Sequence, residues 1–331
     1  MIISRTPFRI SFFGGGTDFP EWYLKNGGKV VSTSINKYCY ISCRYLPPFF
    51  EHKYRFSYSK IENLNNFEDS SHPVIKAILK NEWKKINYGL EIHHIGDLPA
   101  RSGLGSSSSF TVGLLNAVAK LKNKNFTKKK LATMAVNIER RVLKEIVGVQ
   151  DQFAVSYGGF NKISFSTNGN VSIKNIDMKP KLKKKLFENL LLVFTGVSRK
   201  SSIIAKKQFD KIKYNKNKLT NMTQITNEAI NIFESNKNID QIGHLMHESW
   251  LQKKELSPFI SSNLIDEMYS SAIKNGALGG KIIGAGGGGF LLLYINKEKK
   301  AVLQKLFKNY IQVPVIPETD GSKIIFNGYG Q

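Results

Sequence analysis

The sequence predicts an α+β fold in two domains, and three observations carry that reading. Residues 2–13, 29–46 and 53–58 read as strands, and apolar helices alternate with further strands as far as residue 176. Lys179 to Lys185 is a Pro- and Lys-rich break. Beyond it come a strand at Leu190 to Thr195, a helical series over roughly 200–275, and short strands at Gly279 to Ile283 and Phe290 to Ile295. That order is typical of an antiparallel α+β unit. A length of 331 residues allows one large domain or two of ordinary size. The break places the boundary between 1–180 and 181–331.

The elements follow in order. Residues 2–13 end in Phe12-Phe13, and Arg9 lies inside this otherwise apolar strand. A charge inside such a strand argues against a merely solvent-exposed Arg. Gly14-Gly15-Gly16-Thr17-Asp18 comes next, and glycines after a strand let the backbone bend sharply or lie against a ligand. His72-Pro73 opens a helix to about Trp83, with Pro in the first turn. Leu90 to Ile95 is a strand leading into Leu98 to Ser109.

That stretch is the most informative in the chain. Gly103 and Gly105 lack Cβ atoms, so the backbone can approach a ligand closely. The serines that follow suit helix caps, and Phe110 to Leu121 reads as a buried helix. A Gly-rich turn feeding a helix N-terminus is an anion site, with N–H groups and the positive dipole end aimed at one point. The serine hydroxyls also suit a hard cation such as Mg²⁺. The plain alternative is an ordinary capped helix after a tight loop.

Thr127 caps another helix, with Leu131, Met134, Ala135, Ile138 and Val142 on one apolar stripe and Glu139 beside it. Gly148 to Phe153 reads as a short loop holding Asp151 between two amides. Asp151 is there either a carboxylate held by hydrogen bonds or a helix cap. Residues 160–166 and 171–176 form a hairpin around Asn168-Gly169-Asn170. Ser198-Arg199-Lys200 opens the helical series, and Gly284 to Gly289 is a third Gly-rich turn. A last helix spans about 297–309, with β segments near 311–315 and 322–326.

Composition excludes several classes. No run of 18 or more apolar residues exists, and the first residues read as a strand without a signal-peptide layout, so a cytoplasmic protein is expected. Cys39 and Cys43 share a strand, which holds their Cα atoms roughly 13 Å apart, too far for a disulfide. The formal charge of +24 is mostly scattered Lys without a nucleic-acid module. With abundant Asn and Ile it reads as compositional drift toward A/T-rich codons, though a positive field would still help attract an anionic substrate.

Gly284, Gly286 and Gly289 formally match G-x-G-x-x-G, but an apolar strand follows where a dinucleotide fold needs a helix. No Walker sequence or protein-kinase signature set occurs either. Pro99 to Ser109 resembles the central phosphate motif of the GHMP kinases. Pro7-Phe8-Arg9-Ile10 through Thr17-Asp18 resembles their N-terminal motif, and Lys281 to Gly289 their C-terminal one. The wording of Thr6 to Asp18, Gln150 to Phe153 and Tyr157-Gly158-Gly159-Phe160-Asn161 is most similar to the D-glycero-D-manno-heptose 7-phosphate kinases.

The resemblance implies a N-terminal α/β domain with a left-handed βαβ crossover, an exception to the usual hand. It implies a C-terminal ferredoxin-like domain, with the active site in the cleft. The cofactors implied are ATP and Mg²⁺. Gly103, Leu104, Gly105, Ser106, Ser107 and Ser108 would wrap the ATP phosphates, with Gly286 and Gly287 closing on them. Ser107 and Glu139 would hold Mg²⁺. Asp151 would be the catalytic acid–base residue and Arg9 its partner. Asp18, Gly15, Gly16 and Tyr157 would face the sugar. Galactokinases carry a Glu-His pair where Gly15 and Gly16 stand, which argues against galactose. Arg199 and Lys200 are candidates for the substrate's own phosphate, or a surface charge pair. The expected partners are ATP and a phosphorylated sugar, with no nucleic acid or membrane, in a monomer or homodimer. The implied pathway supplies activated heptose for a cell-surface polysaccharide. Competing readings are a different sugar kinase of the family, a non-catalytic nucleotide-binding regulator, and a nucleic-acid binder.

Overall fold

The computed structural model of the chain describes residues 1–83, 88–197, 204, 206, 215–235 and 238–329. Its first sheet is built on two long strands, β1 (Ile2–Phe13) and β2 (Gly28–Leu46), paired antiparallel along nearly the whole of β1. The register shifts between Pro7 and Phe8, where a residue without an N–H interrupts the ladder. The C-terminal half of β2 pairs with β5 (Gly89–Gly96), which pairs parallel to β3 (Tyr54–Ser57), itself beside β4 (Ile61–Leu64). The N-terminal half of β2 pairs instead with β6 (Phe160–Phe165), the first strand of the anticipated hairpin with β7 (Val171–Asn175).

A second, four-stranded sheet is antiparallel throughout, in the order β11 (Gln312–Val313), β8 (Leu190–Phe194), β10 (Phe290–Tyr294), β9 (Gly279–Ile282). The strands β12 (Pro317–Glu318) and β13 (Lys323–Asn327) then return to the first sheet, beside β2 and β1. The two-residue β12 is too short for any pattern to show and was not anticipated.

The helices are α1 (Pro20–Asn26), α2 (Pro73–Glu82), α3 (Ser106–Leu121), α4 (Lys128–Val136), α5 (Gln150–Tyr157), α6 (Pro180–Glu188), α7 (Lys216–Ser235), α8 (Gln241–Lys254), α9 (Asn263–Lys274) and α10 (Lys300–Leu306). One core runs from the first sheet through α2, α3 and α7 to one face of the second sheet. In β10 it takes Phe290, Leu292 and Tyr294, while Leu291 and Leu293 face a second core with α8 and α9. Burial on both faces explains why this strand is an unbroken apolar run. Cys39 and Cys43 are buried and free.

Four local expectations change. The Lys179 to Lys185 break is occupied by α6, whose Leu186 and Phe187 are buried while its lysines point outward. Amphipathic packing overrides the loop-like composition. Asp151 lies in the first turn of α5, not in a loop. The N–H groups of Val149 and Gln150 are taken by the Asp18 carbonyl and carboxylate, so the partners that start α5 are remote in sequence. No serine caps α3. Its cap is Gly105 in the left-handed conformation, and the serines lie inside the first turn. Val142 is 46% exposed, because residues 137–142 form a π-helical turn that rotates it off the apolar stripe.

Candidate active site

The site forms where the end of β5 meets α3, under the third Gly-rich turn. Gly103 and Gly105 both have positive φ, at 83° and 76°. A Cβ on Gly103 would lie 2.3 Å from the Ile283 carbonyl oxygen, and one on Gly284 would lie 2.7 Å from the Gly103 Cα. The two Gly-rich segments therefore touch backbone to backbone, which no side chain would allow. Leu104 anchors the loop as a buried residue, and its carbonyl accepts the Arg9 N–H at 2.9 Å. Ser106 hydroxyl accepts the Arg101 N–H, and Ser107 is exposed at the loop's surface.

Arg9 is 4% exposed, on β1 directly beneath this loop. Its Nε and Nη2 donate to both Asp151 carboxylate oxygens, at 2.7 and 2.6 Å, and Nη1 donates to the Gly103 carbonyl at 2.5 Å. The bidentate fork fixes the plane of the carboxylate. It also ties the first turn of α5 to the phosphate-type loop. Arg9 and Asp151, a pair that only the family resemblance implied, are thus brought together.

Asp18 is fully buried. Its Oδ1 accepts the Gly16 N–H at 3.0 Å and its Oδ2 the Gln150 N–H at 3.2 Å. Its oxygens hold the Gly14 to Thr17 turn against the start of α5. Burial pushes its carboxyl above the usual range, the nearby Asp151 charge adds to this, and the backbone N–H groups oppose it. A Cβ on Gly148 would lie 1.8 Å from Asp18 Oδ2, so that approach requires glycine. Gly16 has φ of 105°, whereas a Cβ on Gly15 would meet only the Gln150 Nε2 at 3.7 Å and Ser11 Oγ at 4.0 Å. Gly15 would therefore accept a Cβ at ordinary contact distances.

Glu139 is 2% exposed, inside the π-helical turn. Its Oε2 accepts the Ser108 hydroxyl at 3.1 Å and the Gln152 amide, while its Oε1 is buried without a partner. It is Ser108, not Ser107, that reaches Glu139. Burial pushes this carboxyl up to about 7, against the hydrogen bonds from Gln152 and Ser108. An orphaned carboxylate oxygen beside a serine hydroxyl fits a hard cation that takes its remaining ligands from water and phosphates. Among the described residues no cluster of three or more His, Cys, Asp or Glu offers an all-protein cage. The implied Mg²⁺ would therefore be held by Glu139 and a loop serine.

The raised value has a signed consequence. Between about 4.5 and 7 the folded protein keeps a proton that the unfolded chain has lost, so stability falls as pH rises through that window. A cation that holds the ionised form reverses the loss. Millimolar MgCl₂ should raise the melting temperature of the wild type at pH 8 and leave Glu139→Gln unmoved. An equal rise in both proteins would remove Glu139 from the cation site.

Two lysines join the site that sequence reasoning missed. Lys253, at the end of α8, donates to the Gly284 carbonyl, and Lys281, in β9, donates to the Phe12 carbonyl at 2.9 Å. Burial drives both below the usual lysine value, Lys253 to about 8; Arg9 repels Lys253, whereas Asp18 attracts it. Lys281 carried a readable signal, a charge inside an apolar strand, as Arg9 did. Lys253 did not, because Lys253-Lys254 looks like a solvated helix end.

Other expected residues are placed elsewhere or not described. Tyr157 ends α5, roughly 9 Å along the axis from Asp151, and stacks on Phe153. The Gly287 N–H donates to the Ile260 carbonyl at 2.8 Å, and a Cβ on Gly286 would strike the same carbonyl. These glycines seat the third turn on residues 257–260. Arg199 and Lys200 lie outside the described residues. No described helix is long and apolar enough to cross a membrane.

The family profile of the GHMP kinases N terminal domain matches residues 72–159, and that of the GHMP kinases C terminal matches residues 228–312. The chain is 31% identical over 327 residues to a D-glycero-alpha-D-manno-heptose 7-phosphate kinase of Campylobacter jejuni, covering 94% of this chain and 95% of that one. It is 24% identical to a galactokinase of Pyrococcus furiosus over 94% of each chain. The crystal structure of a D-glycero-D-manno-heptose 1-phosphate kinase from Bacteriodes thetaiotaomicron superposes with a TM-score of 0.80 over 100% of both chains, at 20% identity.

Proposed function

We infer that this chain, which belongs to the GHMP kinase family and is therefore an ATP-dependent phosphotransferase with an alcohol group as acceptor, phosphorylates the anomeric hydroxyl of D-glycero-D-manno-heptose 7-phosphate to give the 1,7-bisphosphate. The observation that carries the chemistry is the buried Arg9–Asp151 fork bonded to the loop at Gly103. Asp151 accepts the proton of the acceptor hydroxyl, and Arg9 holds it in line and tempers its charge. The loop from Gly103 to Ser108 presents its backbone and the N-terminus of α3 to the ATP phosphates. Glu139 and a loop serine would hold Mg²⁺, which would supply charge neutralisation to the phosphates.

The heptose assignment rests on the 31% identical relative and on the absence of side chains at Gly15 and Gly16. In this reading Gly15 and Gly16 leave room for a longer sugar, and Asp18 fixes the wall of the acceptor pocket. The proposed division is 1–180 and 181–331, with Pro317–Glu318 and Lys323–Asn327 of the second part crossing back to the first sheet. The order β11-β8-β10-β9 supports a ferredoxin-like second domain, and the parallel β3–β5 pair with α2 between them in the chain supplies a βαβ-type crossover in the first.

Release of ADP with heptose 7-phosphate, galactose, mannose and fucose tests the assignment. The phosphorylated heptose should be preferred by at least about tenfold in kcat/KM, or ~1.4 kcal/mol in transition-state binding. A preference for a free hexose would replace it with another sugar kinase of the family. Absence of ADP with every sugar would favour a non-catalytic nucleotide binder.

A further inference from the structure

Lys253 is buried, at 5% exposure, and forms no ion pair with any carboxylate among the described residues. Its Nζ donates to one carbonyl, that of Gly284. An ammonium has three N–H donors, and a buried charge left incompletely paired is unfavourable. The position of that carbonyl is informative. Gly284 lies backbone to backbone on Gly103, whose own carbonyl accepts the Arg9 guanidinium that grips Asp151. Two cations, one from each sheet's side of the cleft, thus meet the paired Gly-rich turns at adjacent residues. The arrangement holds the Lys253 ammonium at the Gly284 carbonyl, where the third Gly-rich turn touches the phosphate-type loop, with Arg9 and Asp18 as the charges that act on it.

We propose that Lys253 is a catalytic cation of this site, its ammonium meeting the phosphoryl group as it passes from ATP to the acceptor. The inference rests on the kinase reading of the site and is independent of which sugar is the acceptor. In the step, the bond from the γ-phosphorus to the oxygen bridging to the β-phosphate breaks, and its electron pair stays on ADP. The acceptor oxygen bonds to that phosphorus, and its proton goes to Asp151. Lys253 keeps its own proton and stabilises charge on the phosphoryl oxygens in transit.

The charged groups around Lys253 are few. Arg9 faces it from β1, Asp18 from the turn after β1 and Lys281 from β9. On α7, Lys218 pairs with Glu255 and Glu234 with Lys162, while β10 offers only Tyr294, bonded to Asn189 and Asp240. On its own helix Lys254 pairs with Asp266, and His247 bonds Tyr269. Lys253 thus titrates near pH 8 in the unliganded protein, within reach of a rate profile.

The test compares the wild type with Lys253→Met and Lys253→Arg in the full chain. For Lys253→Met, kcat should fall about 10²-fold, with KM for ATP and sugar within about threefold. The alkaline fall in the wild-type kcat/KM profile, which reports the free enzyme, should be absent from it. Lys253→Arg should keep a larger share of kcat and carry no fall below pH 10, since a guanidinium stays charged. A second readout needs no turnover. Binding of MgADP with aluminium fluoride, which mimics the transferring phosphoryl group, should weaken at least about tenfold in Lys253→Met while MgADP alone binds unchanged. This readout survives a wrong sugar assignment. Retention of the wild-type alkaline limb in Lys253→Arg, or equal weakening of MgADP with and without fluoride in Lys253→Met, would show that Lys253 merely braces Gly284 and would overturn the proposal.

Discussion

Asp151→Asn is expected to lower kcat about 10³-fold while MgATP binding stays within a few-fold of the wild type, as read by single-turnover ADP formation and calorimetry. The reason is in the fork. Both Asp151 oxygens accept from Arg9, at 2.7 and 2.6 Å. An asparagine presents one oxygen and one NH₂ to the same two donors, so one hydrogen bond is replaced by a donor facing a donor. The acceptor hydroxyl also loses the group that takes its proton. The Arg9 side chain is buried, so the mismatch is not relieved by water. A lower melting temperature should accompany the lost rate. Turnover within tenfold of the wild type would withdraw the proton-accepting role from Asp151.

Gly103→Ala is expected to produce the second large effect, by sterics instead of chemistry. The added Cβ would lie 2.3 Å from the Ile283 carbonyl oxygen, on backbone already at a φ of 83°. The left-handed conformation alone costs about 1–2 kcal/mol for a residue with a Cβ. The clash must also part the two Gly-rich turns, displacing the Gly103 carbonyl from Arg9 and Gly284 from Gly103. MgATP affinity should drop at least about tenfold and the melting temperature by several degrees. Gly15→Ala is the informative contrast. Gly15 has no positive φ, and its Cβ would make ordinary contacts at 3.7 and 4.0 Å. It should fold like the wild type, and its effect should appear in the sugar KM alone. If Gly103→Ala bound MgATP normally, the close approach of the two turns would not be a requirement of the site.

Much of the fold was legible because its signals are local. The long apolar runs of β1, β2 and β10, the Pro in the first turn of α2 and the Asn-Gly turn of the β6–β7 hairpin are each written in a few adjacent residues. The elements misread were those whose partners lie far away. α5 is started by Asp18, 132 residues upstream of Gln150. α6 is a helix because Leu186 and Phe187 find a core, despite a composition suited to a loop. The π-helical turn that buries Glu139 and exposes Val142 has no marker in the heptad-like spacing that precedes it.

The candidate site divides along the same line. The sequence by itself determined the phosphate-type loop at Gly103 to Ser109, the charge of Arg9 inside a strand and the glycine turns at Gly14 and Gly284, because only certain residue types satisfy those backbone and burial demands. Tertiary structure alone decided that Arg9 grips Asp151 across 142 positions and that Ser108 is the serine at Glu139. It alone brought Lys253 from the end of a charged helix into the cleft. Those outcomes depend on how two sheets pack, and packing is a property of the whole chain that no single stretch of it records.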